Sequence, residues 1–514
     1  MNTSDKAVQQ AFIEESERLF GSYYLKTQDF RHKCAENENF WRPDHWHSKP
    51  QKPGEPYPSV PALFSAIENL HTEIMDNFPE AMILPRGTND KSYSNALAAL
   101  VNTTLDRCNF TSKYRKEMLR LLKNGVCCFG VLWDSSLYGG YGDVNVVPMD
   151  MRNILWDTAH DNIQDGDNLF RFSYHSTDSF AQRYPHHFKQ ITEAEPSPHI
   201  PLKYDDSNIL VIERWYKRYD PATDRTAVHM ARIAGSQLLE WSELDPATAS
   251  TGVYADGAYP FIVIPLYEQE DTPIGMGMID VFKTEQEHID ILERAILKNT
   301  VMSGKLRLLK DNRCNIPKEK LADWDEDVLE GSDISERSIR WFQPASISPM
   351  AREHLTFKID MLKRDSGQTD LARGENNNIT AASAILALQS AAIKRTRNVV
   401  GRIYDKYVEM VEMMISRFTQ FYDETRVINV TGENGIKTEY FSPQYSQNSL
   451  YDLDIKVKAH KKNPYEVMYN NEIAQMLHAN GIIGAEEMLD IMSFEGKEAI
   501  QNRLATKNNT QKEN

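Results

Sequence analysis

The sequence predicts an α+β fold in which helices predominate, and three observations carry that expectation. Apolar residues recur at three-and-four spacing within a helical stretch from Thr380 to Asp423. They fall at Val400, Ile403, Tyr404, Tyr407, Val408, Val411, Met414, Ile415, Phe418 and Phe421, the mark of one buried helical stripe. The first half instead alternates short apolar runs with Gly- and Asp-bearing turns such as Tyr138-Gly-Gly-Tyr-Gly-Asp143, a strand pattern. Finally, helical stretches at Met276–Met302 and Pro349–Asp370 flank a compact insert, as in a hairpin stalk with a cap at its tip.

In chain order, residues 6–34 carry apolar positions near helical spacing (Val8, Phe12, Leu19, Phe20, Tyr23). Pro43, Pro50, Pro53, Pro56, Pro58 and Pro61 then forbid a continuous helix, so 42–61 is expected to be an extended arm. Helices are expected at Ala62–Asn77 and Lys91–Lys123, the second closed by Asn124-Gly125 as its C-cap. Strands are expected at 126–134, 142–148, 169–174, 208–216, 227–234 and 261–266, with a short helix at 179–184. The insert 305–344 has strand-like ends at 306–309 and 339–342 and a short helix after Pro317. Arg373-Gly-Glu-Asn-Asn-Asn378 breaks the helical pattern, because Gly374 permits positive φ and Asn favours turns. A small β region at 426–462 and a pair of terminal helices complete the chain.

Composition narrows the function. The 514 residues carry 58 Lys+Arg against 74 Asp+Glu, a formal charge of −16, with 41% hydrophobic residues. That apolar content suffices for real cores. The negative balance excludes a protein that wraps DNA through a broad basic surface, which needs many cation–phosphate contacts. A mean hydropathy of −0.55 and the lack of any apolar run near the ~18 residues of a spanning helix argue against a membrane protein. The polar start Met1–Lys6 is unlike a secretory leader. Five scattered cysteines, with no C-x-x-C pair, suggest reduced thiols.

Catalytic signatures are missing: there is no G-x-S-x-G, H-E-x-x-H or complete Walker A. Around Ser303-Gly304-Lys305, Asn299 replaces the first glycine and Leu306 the Ser/Thr that would hold Mg²⁺. Gly275-Met-Gly277 begins a dinucleotide fingerprint that Asp280 breaks. The carboxylates Asp157, Asp161, Asp165 and Asp167 offer the alternative of a metal-dependent nucleic-acid enzyme, although their spacing fits no EF-hand and a solvated loop explains them more simply. His45/His47 beside Trp46 and His186-His187 lack a ligand-spaced partner and read as packing or surface residues. No cofactor or metal site is expected.

The insert has the sharpest charge pattern. Lys305, Arg307, Lys310, Arg313, Lys318 and Lys320 face only Asp311 and Glu319, whereas Asp323, Asp325, Glu326, Asp327, Glu330, Asp333 and Glu336 follow without a cation. Such a surface is either a solvated face or self-complementary, pairing head to tail with a neighbouring copy.

The order of these elements resembles that of tailed-phage portal proteins. Val146-Val-Pro148 to Ile154-Leu-Trp-Asp157, Phe170-Arg-Phe-Ser-Tyr174 and Arg183-Tyr-Pro185 look like one segment of that family. Asp370-Leu-Ala-Arg-Gly374 through Gln389 is similar to its glycine-bearing loop, and Gly481-Ile-Ile-Gly-Ala-Glu-Glu-Met-Leu489 to its terminal helical element. The resemblance implies a non-enzymatic portal fold: an N-terminal helix and arm (1–61), a wing (62–275), stem helices (276–303 and 347–370), a clip (304–346) and a tunnel loop (371–380). A long wing helix with a small β region (381–461) and a crown with a polar tail (462–514) complete it. It further implies a twelve-fold ring at one capsid vertex of the virion, assembled in the host cytoplasm. The implied partners are double-stranded DNA in the channel, the terminase large subunit, head-tail connector (adaptor) proteins, the major capsid protein and scaffold. Arg373, Gly374, Glu375, Asn376, Asn377 and Asn378 would line the channel, with Arg294, Lys298, Lys358 and Lys363 guiding DNA along the stem. For those four cations, pairing along the helix, as in Asp290–Arg294, is an equally good explanation. Clip residues Lys305, Arg307, Lys310, Arg313, Asp323, Asp325, Glu326 and Asp327 would meet a neighbouring subunit, terminase or connector. Another ring-forming tail or scaffold protein of the virion is a further alternative.

Overall fold

The computed structural model describes residues 3–53, 55–85, 91–192, 197–202, 207–221, 224–304, 307–310, 315–317, 339–342, 347–367, 394–423, 426–432, 435–441, 453–459 and 464–492. The chain divides into two compact units. Unit 1 comprises 1–38, 67–280 and 369–514; unit 2 comprises 39–66 and 281–368. Residues 1–61, expected as one N-terminal piece, are thus shared between the two.

Unit 1 is built on a five-stranded antiparallel meander: β4 (Ile154–Trp156), β5 (Asn168–Ser176), β6 (Asn208–Asp220), β7 (Arg225–Ala234) and β8 (Gln237–Trp241), neighbours in that order. Period-two alternation gives the meander two packed faces. Phe170, Phe172, Leu210 and Ile212 meet Phe20 and Tyr23 of helix α1 (Thr3–Lys26), with Phe20 edge-on to both phenylalanine rings. On the other face, Ile209 and Val211 pack with Phe180 and Ile191, while Leu169 and Trp215 join a cluster with Trp156, Tyr259 and Phe261. Between those two apolar clusters runs a row of directly opposed charges, Arg171, Glu213, Arg232 and Glu240, one on each of β5 to β8. Their ion pairs measure 3.0, 3.0 and 2.7 Å.

A second sheet orders β3 (Asp143–Met149), β2 (Val126–Asp134) and β9 (Phe261–Pro265). Ahead of it, one long helix was expected; two form, α4 (Lys91–Arg107) and α5 (Phe110–Asn124). They part at Asn109, which takes the left-handed conformation at φ 53°, one that Asn tolerates better than most residues. Gly125 ends α5 as expected, at φ 82° with its N–H on Leu121 O. The helical stretch expected over 6–34 forms as two helices, α1 and α2 (Gln28–Trp41), the second running on past it, and α7 (Pro185–Thr192), which takes up His186 and His187, is beyond expectation. Strand β1 (Pro79–Pro85) was also not expected; it pairs antiparallel with Leu453–Ala459 near the far end of the chain.

The expected stripe is buried on the helix Lys394–Phe421, where Val400, Ile403, Tyr407, Val411, Met414, Ile415 and Phe418 are all enclosed. Its Arg417, with no exposed surface, pairs with Asp256 and lies 3.8 Å from the Tyr254 ring centroid. Strands Arg426–Gly432 and Gly435–Phe441 form a hairpin, and helices Pro464–Ala479 and Ala485–Ile491 follow.

Helix α8 (Met278–Gly304) begins two residues later than expected because β10 (Tyr267–Gln269) and β11 (Thr272–Met276) form a hairpin directly before it. The half-fingerprint Gly275-Met-Gly277 has a packing role here. A Cβ on Gly275 would lie 2.6 Å from Tyr267 O and 2.8 Å from Gly125 O; one on Gly277 would lie 2.5 Å from Lys123 O. Backbone therefore crosses backbone where only hydrogen fits. Asp280 secures the junction by accepting from Gly277 N (2.7 Å) and Asn37 Nδ2 (3.1 Å), and it pairs with Lys33 (2.7 Å).

Unit 1 also buries Glu117 on α5, with Arg120 Nη1 2.7 Å away. Burial pushes its carboxyl up to about 7, outweighing Arg120. An unfolded glutamate titrates near ~4.3, so as pH rises from there to 7 the unfolded chain loses this proton and the folded chain keeps it. Stability falls across that window and is level above it, by roughly 3 kcal/mol in all. Glu117→Gln is expected to remove this slope in denaturation series run from about pH 5 to pH 8. An unchanged slope would count against the shifted carboxyl.

In unit 2, the insert begins and ends in two strands that pair antiparallel, Arg307–Lys310 with Ile339–Phe342, as their strand-like patterns suggested. Helix α9 (Pro349–Asp365) starts at the Ser348 cap, whose Oγ accepts from Met350 N. It stops short of Asp370 because Ser366 and Gly367, the latter at φ 87°, close its last turn.

Candidate nucleic-acid interface

Of the four cations expected to guide DNA, Arg294 and Lys298 lie on α8 and Lys358 and Lys363 on α9. The arm, residues 42–61, is bound to α8 within unit 2. His45 is buried with Nδ1 2.5 Å from Asp290 Oδ2 and Nε2 3.2 Å from Phe40 O. Both ring nitrogens thus lie within hydrogen-bond distance of oxygen atoms. Asp290 Oδ1 also accepts from Val60 N (2.8 Å) and Gln286 Nε2 (3.2 Å). Gln286 in turn donates to Val60 O (2.7 Å) and accepts from Leu63 N (3.0 Å). The histidine read as lacking a partnered carboxylate therefore has one, supplied from 245 residues away.

The helical pair Asp290–Arg294 does not form among the described contacts, since Asp290 is taken up by the arm. Arg294 Nη2 instead binds Glu55 Oε2 at 2.6 Å, and Lys298 Nζ binds Glu55 Oε1 at 3.1 Å. The Arg294 guanidinium also lies 4.2 Å from the Tyr57 ring centroid and 5.2 Å from that of Trp46. By contrast, Lys358 and Lys363 have no ion pair among the described residues and are half-buried. Glu55 and His45 are the residues that sequence reasoning missed. The one available signal was an acid, Glu55, set between Pro53 and Pro56 and following the cations Lys49 and Lys52.

The other expected sites are placed unevenly. Lys310 Nζ donates to Ile316 O at 2.5 Å, and Arg307 stands opposite Phe342 in the strand pair. Lys305, Arg313, Asp323, Asp325, Glu326, Asp327 and the loop Arg373, Gly374, Glu375, Asn376, Asn377, Asn378 lie outside the described residues. The Asp157–Asp167 loop folds on its own backbone: Asp157 Oδ1 accepts from Ala159 N, and Asp165 N donates to Asn162 O. Burial, followed by the Asp157 and Asp167 carboxylates, raises the Tyr23 hydroxyl to about 12. Among the described residues no group of three or more His, Cys, Asp or Glu is placed to hold a metal ion. Nor is any described helix long and apolar enough to cross a membrane.

Comparison with protein-family models matches residues 18–249 and 321–514 to the phage P22-like portal proteins. The chain belongs to the phage P22-like portal protein family. It is accordingly a phage portal protein, a structural component of the virion rather than a member of an enzyme family. The match passes over 250–320, the stretch that holds the glycine crossing and α8 of this portal protein. A search of curated proteins finds no match.

Proposed function

We propose that this portal protein assembles as a ring of twelve subunits at one capsid vertex, through whose channel double-stranded DNA is packaged, retained and ejected. In this reading α8 and α9 are the stem and residues 304–346 the clip, where the terminase large subunit docks and connector proteins later replace it. Residues 371–380 form the tunnel loop, with Arg373–Asn378 nearest the DNA. Residues 62–275 and 381–461 form the wing, and 462–514 the crown, with the capsid and scaffold proteins as outer partners. One observation supports this most directly: in a chain of the portal family, two long helices flank an insert whose two ends pair as strands.

The charge supports the same reading. A channel through which a polyanion slides must not hold phosphates tightly, since each strong contact is a barrier to the next step. A subunit of net charge −16 meets that demand. Electron micrographs of the purified chain should show end-on particles with twelve subunits around an open centre. A chain that stays at its monomer mass of 59.1 kDa across a salt series would overturn the ring.

A further inference from the structure

Helix α8 carries an oxyanion site that is already filled from within the chain. Arg294 and Lys298 are four residues apart, hence on one face of the helix. Both reach a single carboxylate, with one Glu55 oxygen for each cation, at 2.6 and 3.1 Å. Two cations converging on two oxygens of one group is also how a phosphodiester is held.

The site is built from several parts. Tyr57 and Trp46 flank the guanidinium, and the two rings meet edge to face at 5.4 Å. Trp46 Nε1 donates to Pro58 O at 2.8 Å, tying together the two ends of the segment that carries Glu55. Outside that segment, His45 and Val60 are both fastened to Asp290. Glu55 is therefore held against its partners from both sides. Hydrogen bonds from Lys298 and Arg294 lower its carboxyl below the usual range.

We propose that Glu55 is a resident counter-ion, occupying a two-cation site on α8 that would otherwise bind backbone phosphates of DNA. The ligand class rests on the channel reading above. The arm then cancels the positive charge of this part of the helix where it would otherwise grip the duplex. A tethered carboxylate acts at an effective concentration of about millimolar or more, so a passing phosphate does not displace it. Arg294 and Lys298 consequently do not touch the duplex while the arm is fastened, and contact falls to cations such as Lys358 and Lys363.

The test measures binding of a short fluorescent DNA duplex to the full-length assembled chain across a salt series. Glu55→Gln is expected to bind at least roughly tenfold tighter at low salt, with the log–log salt slope steeper by about two for each subunit that touches the duplex, one unit per freed cation. Adding Arg294→Gln and Lys298→Gln to that variant should return both values to those of the parent. Unchanged affinity and slope in a folded Glu55→Gln chain would overturn the proposal. Should that variant fail to fold, Lys298→Gln alone decides: unchanged binding supports a covered cation, and weaker binding with a shallower slope means that Lys298 already touches DNA. The latter result overturns the counter-ion but leaves the channel intact. The channel itself fails on a different observation, the missing ring in micrographs.

Discussion

His45→Ala is expected to destabilise the arm-bearing unit by about 3 kcal/mol, the cost of leaving the buried Asp290 carboxylate short of one hydrogen-bond partner. The substitution leaves the Asp290 carboxylate enclosed, with only Val60 N and Gln286 Nε2 to bond. The side chains of His45 and Asp290 are 4% and 2% exposed, so water cannot take the place of the lost ring without opening the arm. Limited proteolysis should cut within residues 42–61 sooner than in the parent, and the denaturation midpoint should fall. The double variant His45→Ala/Asp290→Asn should recover part of the loss, because it removes the stranded charge while keeping an acceptor for Val60 N and Gln286 Nε2. If the single and double variants were equally unstable, the cause would be lost packing against Phe40, whose ring stacks on His45 at 4.8 Å, rather than the stranded carboxylate.

A loss of similar or larger size is expected for Gly275→Ala, about 3 kcal/mol or more, since the added methyl meets only backbone. Tyr267 O, Gly125 O and Leu266 N would lie 2.6, 2.8 and 3.1 Å from it, and none of them is the end of a flexible side chain. Gly401→Ala serves as the control. It sits inside the helix Lys394–Phe421 with nothing within 4 Å of a new Cβ, and alanine there should stabilise by roughly 0.5–1 kcal/mol. Chemical denaturation of the two variants side by side tests both signs. A Gly275→Ala chain as stable as the parent would mean that the crossing opens at little cost.

What was legible in the sequence follows physical range. The stripe from Val400 to Phe418 was readable because a helix repeats its buried face every three or four residues. The break at Asn109 was not, since the apolar pattern carries on through it and only a single backbone conformation changes. Strand β1 escaped because its partner lies near the other end of the chain and prolines stand at both its ends. At the candidate interface the same limit acted on the cations. The i,i+4 rule sees only helical neighbours, so it proposed Asp290 for Arg294. The fold supplied Glu55 from 239 residues away and gave Asp290 to His45. Gly275-Met-Gly277 shows the same limit. The sequence rejected it as a dinucleotide fingerprint and assigned it no other role, whereas the fold uses both glycines where the chain passes against the backbone of Gly125 and Lys123.

The row Arg171–Glu213–Arg232–Glu240 has a consequence for folding fidelity. Its four charges balance, and each stands directly opposite the next across the meander. A slip of one residue in β5 would turn Arg171 to the face where Phe20 and Tyr23 pack against Phe170 and Phe172, leaving Glu213 without one of its two cations. Misaligned pairings are thus penalised twice, by a guanidinium buried among aromatic rings and by an unbalanced carboxylate. A subunit made in many copies needs every copy to reach the same alignment. The row therefore favours one register of the meander over its neighbours.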